Sequence, residues 1–310
     1  MRTAFLFPGQ GSQRVGMGRA WAEGHAEARG AFDEASAALG FDVAELCWQG
    51  PEERLQETAN TQPAILTVSV AIARVLAARG VVPVAVAGHS LGEYSAHVAA
   101  GTLSLSDAAR LVRRRGELMQ EAVPLGVGAM AAILGLDPAI VGEVAAQAAG
   151  GEICTVANFN SPEQTVIAGH RGAVERAMAL ARERGAKRAI SLPVSAPFHS
   201  PLMASARRGL APDLERAAFA TPRFPVVVNI DARPVRDGSA ARDALVRQID
   251  GPVRWVECMR TLAEELGIER FVEVGPGAVL AGLAPRIVVG ARAFSLADPA
   301  ALVKLSEEGG

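Results

Sequence analysis

Gly88-His89-Ser90-Leu91-Gly92 restricts the fold of this chain more than any other stretch. It fits G-x-S-x-G, the nucleophile elbow, in which a serine occupies a sharp turn from a strand into a helix. Both flanks suit that turn. Val81 to Ala87 is apolar and largely β-branched, as in a buried strand. Glu93 to Ala100 is rich in alanine and closed by Gly101, as in a short helix. Glycines at 88 and 92 leave room for close packing of helix on strand. A serine that merely caps a helix needs no such flanks, so the pattern predicts Ser90 as a nucleophile. A nucleophile on such an elbow works with donors aimed at a developing oxyanion, and the backbone N–H of Leu91, next after the serine, is the first candidate.

A serine hydroxyl is a poor nucleophile without a base, and the chain has five histidines. His25 lies in a charged, alanine-rich segment and reads as solvated. His89 precedes the serine, so its side chain is expected to point away. His97 is expected to pack or to face solvent, and His170 reads as a loop residue. His199 stands in Pro193-Val194-Ser195-Ala196-Pro197-Phe198-His199-Ser200-Pro201, between an apolar strand and a helix, where three prolines fix the loop. A lone loop histidine is usually structural or solvated, but this loop is where a base would be held. The order serine then histidine agrees with an α/β-hydrolase-like chain.

The rest of the chain alternates strand and helix. Expected elements are a strand at 4–7, a helix at 19–39, a short helical piece at 52–58 and a long apolar helix at 62–78. The elbow follows, then a helix at 106–121. Residues 128–194 read βαββαβ, the ferredoxin-like unit, as a small lobe inserted into a larger domain formed by 1–127 and 195–310. The larger domain resumes with helices at 203–217, 240–249, 255–266 and 278–283 and strands at 226–230 and 270–274. Ser306 to Gly310 reads as a loose tail.

Composition narrows the function classes. The chain has 310 residues, 50% hydrophobic and 21% charged, enough for a large core. A formal net charge of −2 argues against general nucleic-acid binding. Apolar runs read as broken before the length that spans a bilayer, and no signal peptide is visible. Three widely spaced cysteines form neither a disulfide framework nor a zinc pattern, which suits a reducing cytoplasm.

Two further stretches invite a chemical reading. Gly9-Gln10-Gly11-Ser12-Gln13-Arg14 begins like a dinucleotide fingerprint, but Arg14 stands where the third glycine belongs, and a Walker loop is excluded by spacing. It reads instead as a loop presenting Gln10 beside the elbow. Arg113-Arg114-Arg115 sits late in a helix. Successive helical residues turn by about a hundred degrees, so the run cannot share one face and one arginine can point inward. The residues alone do not choose among them.

Phe7-Pro8-Gly9-Gln10-Gly11-Ser12-Gln13, Gly88 to Glu93 and Phe198-His199-Ser200 lie in order along the chain. So do Gln62-Pro63-Ala64, Arg115-Gly116, Asn158-Phe159-Asn160-Ser161-Pro162 and Val274-Gly275-Pro276-Gly277. In these motifs, which cover nearly the whole chain, the sequence resembles the malonyl-CoA:acyl carrier protein transacylases. The resemblance implies an α/β fold, an α/β-hydrolase-like large domain with the ferredoxin-like lobe, and an active site in the cleft between them. It implies malonyl transfer from malonyl-CoA to the phosphopantetheine thiol of acyl carrier protein through a malonyl-Ser90 ester. His199 is then the base, and the Gln10 amide joins that of Leu91 in the oxyanion hole. Arg115 would hold the malonyl carboxylate, and the backbone carbonyl of Gln248 would orient His199 in place of a triad acid. Gln62 would face the same cleft, and Asn158 and Asn160 could meet the pantetheine arm. Phe198 would favour malonyl over methylmalonyl. No metal or organic cofactor is implied; the partners are malonyl-CoA and acyl carrier protein, and the family leads us to expect a cytoplasmic monomer in fatty acid synthesis. Arg182, Arg184, Lys187, Arg188, Arg207 and Arg208 are candidates for a basic surface toward an acidic carrier. The alternatives are a malonyl transferase acting in trans in a polyketide pathway, or a serine thioesterase or esterase.

Overall fold

The computed structural model of the chain describes residues 1–194 and 196–307. Ser195, where the large domain was expected to resume, lies outside them, as do residues 308–310 of the expected tail; Ser306 and Glu307 close a short helix.

Among the described residues ten strands form two sheets: β1 Thr3–Phe7, β2 Ala85–Gly88, β3 Gly128–Leu134, β4 Cys154–Ser161, β5 Gln164–His170, β6 Arg188–Ser191, β7 Val226–Val227, β8 Pro234–Val235, β9 Arg270–Glu273 and β10 Arg292–Ser295. The larger sheet runs β10-β9-β1-β2-β7-β8. Its strands are parallel except for β8, which turns back against β7. β1 is buried along its whole length, as a strand covered by helices on both faces must be. The architecture is α/β, as expected.

The smaller sheet is antiparallel, in the order β4-β5-β3-β6, with helices Pro138–Ala149 and Arg171–Glu183 between its strands. That is the ferredoxin-like arrangement. Alternation gives it two destinations. Ala131, Ile133 and Ile167 pack under its own helices, whereas Met130, Ala132, Val166 and Ala168 join the core of the larger sheet's layer. The smaller sheet also bonds to the segment before helix Trp255–Arg260: Phe159 N–H donates to the Val253 carbonyl at 2.9 Å, and Val253 N–H to that of Ala157 at 2.8 Å.

Several readings need correction, among them the strand expected at 226–230, which is only Val226–Val227. The helix expected at 19–39 is two helices, Arg19–Gly24 and Ala26–Leu39, broken where His25 takes an extended backbone. Helix Val43–Gln49 was not foreseen, although Asp42 caps it by accepting from Glu45 N–H at 2.8 Å, an Asp-x-x-Glu signal present in the sequence. The elbow strand starts at Ala85, not Val81. Helix Thr58–Ala78 is long and apolar enough by length and composition to cross a membrane, contrary to the expectation that no apolar run reaches that length; 83% of its apolar window is buried inside the protein. It is apolar all round because it lies inside the helical layer. Pro63 leaves its Ala59 carbonyl without a helical donor, and Arg113 donates to that oxygen at 3.2 Å. All three cysteines, Cys47, Cys154 and Cys258, are buried and unbridged.

The elbow is a tight junction. A Cβ on Gly92 would lie 2.0 Å from the Phe7 carbonyl oxygen, and one on Gly88 would lie 1.9 Å from the Gly92 carbonyl. Gly142, in the small lobe's first helix, meets nothing within 4 Å. Gly92→Ala should therefore lose at least about 1–3 kcal/mol of stability, while Gly142→Ala is neutral or gains up to about 1 kcal/mol. Urea unfolding of both variants checks this, and equal midpoints would refute the packing account.

Candidate active site

The carboxyl ends of β1, β2 and β7 lie side by side, where ligands bind in open α/β sheets. The loop after β1 brings Gln10, that after β2 brings Ser90, and that after β7 brings Asn229. Ser90 has φ 52°, the left-handed region. A non-glycine residue there costs about 1–3 kcal/mol and persists only where its surroundings hold it. His199, on the proline-rich loop, shares that region with φ 57°.

Ser90 Oγ lies 2.6 Å from His199 Nε2. On the far side of the ring, Nδ1 faces two carbonyl oxygens, those of Gln248 and Gly251, each at 3.0 Å. Two acceptors at Nδ1 require the proton there, so Nε2 carries the lone pair and accepts from the serine. Burial holds the imidazole down to about 3, with the Arg115 charge and His89 adding to the effect. The ring is therefore neutral at physiological pH, the form that takes a proton.

The structure separates the arginines. Arg113 pairs with Glu117 at 2.8 Å, and Arg114, half-exposed, reaches the same carboxylate at 3.6 Å. Arg115 is only 2% exposed. Its Nη1 donates to Gln62 Oε1 at 2.8 Å, and its Nη2 donates to Gln248 Oε1 at 3.0 Å and Ser90 Oγ at 3.2 Å. The Tyr94 ring lies 5.7 Å from the guanidinium carbon. Burial lowers the Arg115 pKa from its ordinary value, but arginine starts so high that the charge stays. Among the described residues no carboxylate forms an ion pair with it.

These groups open on a cavity of about 560 Å³ between the two sheets, lined among others by Gln10, Gln62, Ser90, Leu91, Arg115, Asn158, Asn160, Phe198 and His199. Among the described residues neither the Leu91 nor the Gln10 backbone N–H has a hydrogen-bond partner. The Gln10 carboxamide turns instead to Thr58 Oγ1, at 3.2 Å. Asn158 is 6% exposed at an irregularity of β4, and its carboxamide has no partner among the described residues. Phe198 is 9% exposed and forms part of the wall. Gln248 does not line the cavity; it reaches the site through its carbonyl and through Arg115.

His89 is a correction. Its side chain does not point away: Nε2 bonds Asn160 Oδ1 at 2.8 Å, and the ring packs at a tilt against Trp255, centroids 5.5 Å apart, and lines the cavity. Asn160 is thereby committed to His89. His170 closes β5 rather than standing in a loop, and accepts from Ile153 N–H at 3.0 Å. His97 packs, fully buried. Of the basic candidates, Arg182 is tied to the Ala189 carbonyl, Arg184 to Gln147 and Arg207 to Asp250, whereas Lys187 and Arg188 are exposed at the edge strand β6. Sequence reasoning missed Asn229, Glu93 and the Gly251 carbonyl. Asn229 fell inside the strand expected at 226–230, but that strand ends at Val227 and leaves Asn229 just beyond its carboxyl end.

Chain similarity bears on the same site. The sequence matches the family model described as an acyl transferase domain over residues 4–290. It is 51% identical over 305 residues to a malonyl CoA-acyl carrier protein transacylase of Escherichia coli K12, covering 98% of each chain. The corresponding Bacillus subtilis protein is 44% identical over 299 residues, covering 96% of this chain and 94% of that one. An acyl carrier protein S-malonyltransferase from Vibrio cholerae superposes with a TM-score of 0.96 at 47% identity, covering 98% of this chain and 100% of that chain. A malonyl-transacylase solved with its type II PKS acyl-carrier protein gives 0.97 at 47% identity, covering 100% of both.

Acid stability follows from the buried groups. His97 and His199 are held down to about 3 by burial, and Glu93 and Glu273 are pushed up to about 7 by the same cause. As pH falls from about 6.5 to 4.5, the unfolded chain gains protons on those histidines while the folded chain gains them on those carboxylates, so the effects oppose. Below about 4.5 the carboxylates are protonated in both states and only the histidine loss continues. Stability should fall there by up to about 1.4 kcal/mol per pH unit for each histidine. Urea unfolding at successive pH values measures the slope, which His97→Leu should reduce; an unchanged slope in that variant removes His97 from the account.

Proposed function

The chain belongs to the acyl transferase domain family, and from that premise we propose that it moves malonyl from malonyl-CoA to the phosphopantetheine thiol of an acyl carrier protein. Ser90 Oγ attacks the thioester carbonyl while His199 Nε2 takes its proton. The Leu91 and Gln10 amides receive the oxyanion. The carbon–sulfur bond breaks, His199 returns the proton to the departing CoA sulfur, and a malonyl-serine ester remains. The carrier thiol then attacks that ester, again with His199 as base, and free Ser90 is restored. This is a ping-pong sequence, and it calls for no metal or organic cofactor, because the thioester itself supplies the activation.

The observation that carries the malonyl reading is Arg115. A buried guanidinium 3.2 Å from the nucleophile, held by amide oxygens and not by a carboxylate, suits an acyl group that ends in a carboxylate. Guanidinium grips carboxylate through two parallel bonds, fixing pose as well as charge. The bulk of Phe198 stands against an extra α-methyl, and the free Asn158 carboxamide suits the amides of a pantetheine arm. Exposed Lys187 and Arg188 suit an acidic carrier. A fatty acid carrier in the cytoplasm, served by a monomer, is the reading we favour; a polyketide carrier is the second, favoured by the likeness to the type II PKS pair. A hydrolase would need neither Arg115 nor a carrier.

Radiolabelled malonyl-CoA with holo carrier protein tests the proposal. Label should pass to the carrier much faster than to water, and Ser90→Ala should give no labelled enzyme by intact mass; hydrolysis outrunning transfer would move the protein to the thioesterases. Arg115→Ala should lose most malonyl transfer but keep or gain acetyl transfer. Arg114→Ala is the matched control. Equal losses for both acyl groups, or equal losses in both variants, would remove Arg115 as the carboxylate clamp. Lysine at 115 should rescue poorly, since it lacks the guanidinium fork.

A further inference from the structure

Ser90 is held in place by side chains that never reach the cavity. Asn229 is fully buried. Its Oδ1 accepts from Ser90 N–H at 2.7 Å, and its Nδ2 donates to the Gly88 carbonyl at 2.7 Å. One carboxamide thus spans the turn from both sides of His89. Its own backbone N–H donates to Glu93 Oε2 at 2.7 Å. That oxygen also accepts from Gln248 Nε2 at 3.0 Å, and the same Nε2 donates to the Ser90 carbonyl at 2.9 Å. Gln248 in turn presents its backbone oxygen to His199. Glu93, Asn229 and Gln248 are all absent from the cavity wall.

We infer that Asn229 and Glu93 form a buried clamp that fixes Ser90 in its left-handed conformation and in register with the carbonyl that orients His199. Asn229 is then a positioning residue for acyl transfer, although it touches no substrate. The inference rests on Ser90 as the nucleophile. The direction of a serine Oγ follows from its own backbone, and here the N–H and the carbonyl of Ser90 are both tied. The tie needs a donor and an acceptor in one planar fork, which a carboxamide has and a carboxylate lacks. Glu93 Oε2 accepts from both the Asn229 N–H and the Gln248 amide, and so makes one unit of the nucleophile's support and the base's support.

A fluorophosphonate probe tests the clamp without malonyl chemistry. Ser90 Oγ forms a bond to phosphorus, fluoride leaves, and His199 takes the serine proton. A displacement of about 1 Å costs about 10²-fold in rate. Asn229→Ala, confirmed as folded by circular dichroism, should be phosphonylated slower by about that factor. Malonyl-CoA acylation should slow equally, with half-saturation unchanged.

Asn229→Asp adds a pH readout. Its carboxylate can accept from Ser90 but cannot donate to Gly88 until it is protonated. Its phosphonylation rate per folded molecule should therefore rise toward wild type as pH falls. Glu93 and Tyr94 on the elbow helix, Arg115, Asp231, His199 and Cys258 are the ionisable groups nearby, and wild type run in parallel accounts for them. A folded Asn229→Ala labelled at the wild-type rate, a loss confined to half-saturation, or an Asp variant that follows the wild-type pH profile overturns the inference. Failure of both variants to fold also overturns it, since Asn229 is then a folding element. Slow phosphonylation of Asn229→Ala, in a protein whose wild type takes no malonyl, supports the clamp and defeats the malonyl reading alone.

Discussion

The site depends on a contact between two backbones. The first turn of the elbow helix, Gly92–Ala99, lies so close to the Phe7 carbonyl that position 92 admits no side chain. That approach sets the angle between β2 and the helix, and with it the left-handed backbone of Ser90. It also leaves the Leu91 amide at the head of the helix, where backbone donors and the helix dipole favour negative charge. β1 takes part as much as β2 does, because its next residues form the loop that carries Gln10. Ser90 and the Leu91 and Gln10 amides are therefore all placed by one packing decision in the middle of the larger sheet.

The second constraint is electrostatic. Removing a guanidinium from water costs several kcal/mol unless its bonds are replaced. Arg115 finds Gln62, Gln248, the Ser90 hydroxyl and the face of Tyr94, all of them neutral. A carboxylate in their place would satisfy the charge too well and leave nothing for a ligand. The nearest acid bound into this network, Glu93, is separated from Arg115 by the Gln248 amide. The arrangement keeps a permanent charge dry and still exchangeable.

Much of this was legible in the sequence, for physical reasons that can be named. The elbow announces itself because its glycines are forced by contacts closer than van der Waals distance. The ferredoxin-like lobe shows because strands with two apolar faces, broken by Asn-Ser-Pro and Gly-Gly turns, alternate with helices. Ser90, His199 and Arg115 stand together as the motifs led one to expect, 2.6 Å and 3.2 Å apart by their closest atoms. What remained hidden depends on tertiary neighbours. His89 turns into the cavity because Trp255 and Asn160, far along the chain, offer a ring and an acceptor. Asn229 has no local signature, since its partners lie on another strand and another helix. The long core helix reads in the sequence as too short an apolar run to span a bilayer, yet a segment buried on nearly every side has the composition of one that faces lipid.

The three buried cysteines have a consequence of their own. An enzyme that holds activated acyl thioesters risks acylating itself at any accessible thiolate. Burial raises the thiol pKa of Cys154 to about 11 and pushes those of Cys47 and Cys258 well above the ordinary thiol range, so each stays protonated as well as covered. The chain therefore presents no competing sulfur to its own cargo. Fidelity here includes an absence of rival acceptors: on the proposed route, the thiol that meets the acyl-serine is brought in from outside.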